Sequence, residues 1–114
     1  MRAVVLVIAT SLVAGAAFAA EPYEGKWAGE AAWCKNKPSE TDQVPLEITK
    51  KGIKGYESSC PFISVKKQGT AWVATAKCSG EGETWTETTK MEVDGSRLTL
   101  TYDDGTAVEL VRCK

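Results

Sequence analysis

Cys34, Cys60, Cys78 and Cys113 carry the most decisive chemistry in this chain of 114 residues. A zinc site would ask for close Cys-x-x-Cys pairs, and even the nearest two, Cys60 and Cys78, are far apart in sequence. An even set of well-spread cysteines in a small chain reads instead as two disulfides formed in an oxidising compartment. Histidine is absent. That removes Ser-His-Asp and Cys-His catalysis and any His-ligated metal site. No phosphate-cradling or dinucleotide motif occurs either, so neither a cofactor nor a metal is expected.

The remaining candidates are residues suited to binding. Residues 34–43 form the one long connection, polar and bounded by Cys34 and stiffened by Pro38. Long loops on small rigid scaffolds are common sites of function. Lys35, Asn36, Lys37 and Pro38, with Trp33 beside them as an aromatic anchor, are the candidate contacts for a protein partner. Glu87 shares a strand face with Trp85, Thr89 and Met91. An inward carboxylate there would orient a small ligand or pair with a cation such as Arg112. A carboxylate hydrolase would need two acids facing across a cleft. Glu81, Glu83 and Glu87 are available, but no pair stands out. The acidic stretches at Glu81–Glu83 and Asp103-Asp104 lack the ordered spacing of a calcium loop. Of the tryptophans, Trp27 and Trp72 are expected in the core, while Trp33 and Trp85 are left open.

These residues must be positioned by a small domain. Met1-Arg2, the apolar run 3–16 and Ala17-Phe18-Ala19 together read as an export signal cleaved after Ala19, with Ala20 as the next choice. The run is too short for a spanning helix. The expected mature chain, residues 20–114, is a single domain, soluble and monomeric in the periplasm or the medium. The formal net charge is −1. A near-neutral balance argues against nucleic-acid binding, which needs a basic surface.

Turn signals recur every eight to twelve residues or so, and apolar residues alternate along the segments between them, which is an all-β pattern. Strands are expected over 25–33, 44–50, 53–57, 61–67, 70–78, 83–93, 97–102 and 106–112. Ile63 and Val65 are expected inward, and Lys51-Gly52 as a turn or a bulge. Seven or eight short strands with short connections favour an antiparallel meander. Such a meander hides its edges best by closing into a barrel or strongly curled sheet; a two-sheet sandwich is the alternative.

The register suggests the disulfides. If Lys67 faces Ala71 across the loop Gln68-Gly69-Thr70, then Cys60 faces Cys78. Cys34–Cys113 follows by elimination. With eight strictly alternating strands Cys34 and Cys113 fall at opposite ends, so this pairing asks for an odd strand count or a flexible Cys34.

The mature chain resembles short bacterial proteins that carry signal peptides. The likeness rests on Gly25-Lys26-Trp27, Trp33-Cys34, Gly55-Tyr56-Glu57 with Cys60, Cys78-Ser79-Gly80-Glu81-Gly82 and Arg112-Cys113. That group has no assigned activity and so supplies no functional residues. The Gly-x-Trp opening and a disulfide are also similar to the small secreted barrel inhibitors of bacterial metalloproteases. Those proteins enter the protease cleft with their N-terminal segment, which here would be residues 20–24; this chain has two extra cysteines. The expected function is a non-enzymatic, exported binding module contacting a protein partner. A small-ligand carrier using Trp85 and Glu87 is the alternative, and a carboxylate hydrolase is third. A barrel of about 95 residues is expected to be filled by its own side chains.

Overall fold

The computed structural model describes Ala3 and residues 19–114. The segment read as an export signal therefore lies, apart from Ala3 and Ala19, outside the described residues. Eight antiparallel strands follow one another round a closed barrel: β1 (Gly25–Ala28), β2 (Leu46–Thr49), β3 (Gly52–Gly55), β4 (Ser58–Gln68), β5 (Ala71–Gly80), β6 (Glu83–Asp94), β7 (Arg97–Tyr102) and β8 (Ala107–Arg112). Neighbours in sequence are neighbours in the sheet, and β1 closes on β8 through Trp27 opposite Arg112 and Ala28 opposite Val111. Among the described residues the count is thus eight, and they close into a barrel and not a sandwich.

Alternation explains the core. Trp27, Ile48, Met91, Leu98 and Leu100 point inward and are fully buried, while Lys90, Glu92 and Arg97 on the opposite faces stay in water. Up-and-down topology gives the barrel two unlike ends. The start of β1, the end of β8 and the turns β2–β3, β4–β5 and β6–β7 lie at one end. The β1–β2 connection and the turns β3–β4, β5–β6 and β7–β8 lie at the other.

The first end is closed by aromatic packing. Tyr23 is buried and meets Trp72 edge to face, with ring centroids 5.4 Å apart. Trp27 Nε1 donates to the Tyr23 carbonyl at 2.9 Å. Arg112 lies over the Trp27 ring at 4.1 Å and donates to the carbonyls of Glu24 (2.9 Å) and Pro22 (2.7 Å). Gly25 makes room for this clasp. Its φ is +138°, and a Cβ there would stand 2.8 Å from the guanidinium. Trp27 is core as expected, while Trp72 is half-buried against Tyr23.

Three expectations need correction. The first strand ends at Ala28, not Trp33, and residues Ala31–Lys35 form a 3₁₀ turn packed against β1. Trp33 folds back onto Gly29, where a Cβ would lie 2.8 Å from the indole. That reversal lets Cys34 reach Cys113, with Cα atoms 5.5 Å apart, so no odd strand count is required. The second correction is at β4. The hairpin turn is the two residues Gly69-Thr70, and Lys67 faces Trp72 rather than Ala71. An irregularity between Phe62 and Ser64 then shifts the register by one, so that Phe62 faces Ala76 and Ser59 faces Ser79. Cys60 comes opposite Cys78 through this bulge and is bonded to it, Cα atoms 4.0 Å apart. The third follows from the second. Ile63, the extra residue, is 63% exposed instead of inward, and Phe62 takes its place against the core.

Candidate functional site

The second end of the barrel is not filled. Short side chains on β5, Ala74, Ala76 and Cys78, leave a partly enclosed hollow of about 140 Å³. Its walls are Leu46, Ile53, Phe62, Leu100, Tyr102 and the Cys60–Cys78 disulfide, and its polar groups include Glu87 and Thr89. Glu87 enters because Trp85, Glu87, Thr89 and Met91 alternate on the inner face of β6. Trp85 stands at the rim, 40% exposed.

Neighbours on both sides fix the Glu87 carboxylate. The indole Nε1–H of Trp85 donates to Oε2 at 3.0 Å, and the Thr89 hydroxyl donates to Oε1 at 3.3 Å. Cys78 Sγ lies 3.7 Å from Oε2. A disulfide sulfur has no proton to donate, so this is a contact and not a hydrogen bond. Among the described residues no Lys or Arg lines the hollow. Arg112, the cation considered for Glu87, is committed to Trp27 and the N-terminal carbonyls at the far end. Burial raises the Tyr102 phenol pKa above its ordinary value, and the Glu87 charge adds to that.

Among the described residues, Cys60, Cys78 and Glu87 bring three donor atoms within 4.8 Å of one another. Both sulfurs are bonded to each other, so the cluster offers one carboxylate and no thiolate. Glu87 is also the one carboxylate lining the hollow. Glu81 and Glu83 stand exposed at the β5–β6 turn, so the three acids do not form a facing pair inside it.

The loop residues are placed elsewhere. The β1–β2 connection folds back over the outer wall, where Cys34, Asn36 and Pro38 share a groove with Lys26, Glu47 and Lys54. Asn36 Nδ2 donates to the Gln43 carbonyl at 2.8 Å, and Thr41 N–H donates to the Lys37 carbonyl at 3.2 Å. With the Cys34–Cys113 bond, these contacts hold the loop against the barrel. Lys35, Lys37 and Pro38 are exposed, and Trp33 is half-buried on Gly29. The N-terminal segment is held as well, through Pro22, Tyr23 and Glu24 at the closed end. A larger groove of about 630 Å³ runs along β2, β3 and β4; of its charged residues, Glu47, Lys50, Lys51 and Lys54 are exposed and Glu24 is half-buried.

Sequence reasoning located Trp85 and Glu87 but missed Phe62 and Tyr102 as walls of the same hollow. The alternation of Leu98, Leu100 and Tyr102 was a usable signal for Tyr102. Phe62 had none, because the bulge reversed its face. No family model, no curated protein and no solved structure matches this chain.

Proposed function

We propose that this protein is an exported, non-enzymatic barrel that binds a small ligand in its open end. The observation that carries this reading is the partly enclosed hollow with a carboxylate at Glu87, held by Trp85 and Thr89 among aromatic walls. Concave, mostly apolar sites with a few fixed polar groups are the usual form of small-molecule sites. The volume is below the common range, so the ligand is small. Export is supported by the leader-like residues 1–19 and by the two disulfides, which point to an oxidising environment. Among the described residues no helix is long and apolar enough to cross a membrane.

A protein contact through Lys35, Asn36, Lys37 and Pro38 has less support. The loop is folded back on the barrel and does not project. A fragment screen read by amide and indole NMR shifts separates the two readings. Ligands should move the Trp85 indole, Thr89 and Tyr102 signals, and Trp85→Ala should weaken them at least tenfold with little change in thermal midpoint. Shifts confined to residues 35–42, or no ligand at all, would sink the proposal.

A further inference from the structure

We infer that the ligand is a small organic cation, an alkylammonium group carrying a few carbons; this rests on the ligand-binding reading above. The first reason is the charge left in the hollow. The Glu87 carboxylate accepts from two neutral donors, Trp85 and Thr89, and among the described residues no cationic side chain lines the space. The salt bridges found among the described residues, Lys90–Glu92 and Arg97–Glu109, lie outside it. The site is therefore a fixed negative charge whose counter-charge must come from outside. The second reason is the wall. Phe62, Trp85 and Tyr102 line it with aromatic rings, and Leu46, Ile53 and Leu100 offer apolar surface. Ammonium groups with alkyl substituents gain from both, through cation–π attraction and burial of carbon.

The remainder of the molecule favours the same sign. At the open end the hairpin turns and their flanks carry Glu57 against Lys54, then Glu81 and Glu83, then Asp103-Asp104, and the β1–β2 connection adds Glu30, Glu40 and Asp42 against Lys35 and Lys37. The turns of the closed end are flanked by Lys50-Lys51, Lys66-Lys67 and Arg97, against Glu92 and Asp94, with Glu21 and Glu24 of the N-terminal segment beside Arg112. A field of this polarity steers cations toward the open end and turns anions away.

Metal ions fit the site poorly. Calcium and magnesium need an oxygen shell that one carboxylate and one hydroxyl do not supply. A thiophilic ion would need thiolates, and both sulfurs are in the disulfide. Size sets the last limit. At roughly 30 Å³ per water, the 140 Å³ hollow holds the equivalent of four or five waters. That suits a trimethylammonium head, with any longer arm leaving through the rim past Trp85.

The test uses the oxidised protein and three probes of one shape in calorimetric titrations. They are choline, neohexyl alcohol, in which carbon replaces the ammonium nitrogen, and tert-butylacetate, which carries the opposite charge. Choline should bind at least tenfold more tightly than the alcohol, and tert-butylacetate should not bind. Glu87→Gln should cut the ratio of choline affinity to alcohol affinity at least tenfold. If that variant does not fold, the ratio on the unaltered protein decides, together with movement of the Trp85 indole signal on adding choline. Equal or tighter binding of the alcohol or the carboxylate would overturn the cation assignment and leave the ligand-binding reading standing. Binding of none of the three, with the Trp85 signal unmoved throughout, would overturn both.

Discussion

Arg112 shows how much one side chain can organise. Its guanidinium covers the Trp27 face and ties down the carbonyls of Pro22 and Glu24, more than eighty residues away in sequence. Lysine keeps the charge but loses the planar fork and the flat stacking surface. Charge-assisted hydrogen bonds contribute about 1.5–3 kcal/mol each when they replace water contacts. Arg112→Lys should therefore lower unfolding free energy by about 2 kcal/mol in urea titrations, with the ligand site at the other end unaffected. A loss below about 0.5 kcal/mol, typical of surface changes, would show that the clasp is not structural. Gly25 belongs to the same arrangement, because its positive φ and missing Cβ let the guanidinium lie close.

Among the elements, β4 is the one whose local irregularity has the widest effect. The bulge at Ile63 separates two registers, one set by the Gly69-Thr70 turn and one that places Cys60 opposite Cys78. Deleting Ile63, the extra residue, should join Phe62 opposite Ala76 directly to Ser64 opposite Thr75, so the strand runs on without a step and Cys60 stays opposite Cys78. Thiol titration of the unfolded deletion variant should then find no free sulfhydryl, as in the parent. Two free sulfhydryls would mean that the strand had slipped by one residue, because side chains alternate across a sheet and such a slip turns one sulfur away. Much of this architecture was legible in advance. Alternation at Trp85, Glu87, Thr89 and Met91 placed the carboxylate inside, and Asp94-Gly95 and Asp104-Gly105 placed turns. The bulge was not legible, since Phe62 and Ile63 are both apolar and either could face inward. The short β1 was hidden for a similar reason. Trp27, Gly29, Ala31 and Trp33 alternate like a strand, yet Gly29 is what allows Trp33 to fold back onto it. The hollow depended on the small residues of β5 meeting the bulged segment, a tertiary coincidence that no single segment encodes.

At the scale of the whole molecule, the two ends divide the labour: aromatic residues and the clasp seal one, and the other stays open with its acidic turns. One further feature governs how such an object comes into being. All sheet pairings but one join strands adjacent in sequence, and the exception, β1 with β8, shuts the barrel. Hairpins with short turns form early, whereas shutting must bring together residues at opposite ends of the domain. Until then the chain is an open sheet with two bare edges, the form in which β-proteins aggregate. The disulfides report on this order. Cys60 and Cys78 are 18 residues apart and Cys34 and Cys113 are 79 apart, so closing the larger loop costs about 1 kcal/mol more in chain entropy. In oxidative refolding from the reduced chain, the first one-disulfide species trapped should carry Cys60–Cys78. Finding Cys34–Cys113 first would place barrel closure at the start of folding. The expected order makes the long-range bond a latch, which locks the seam once the edges have met.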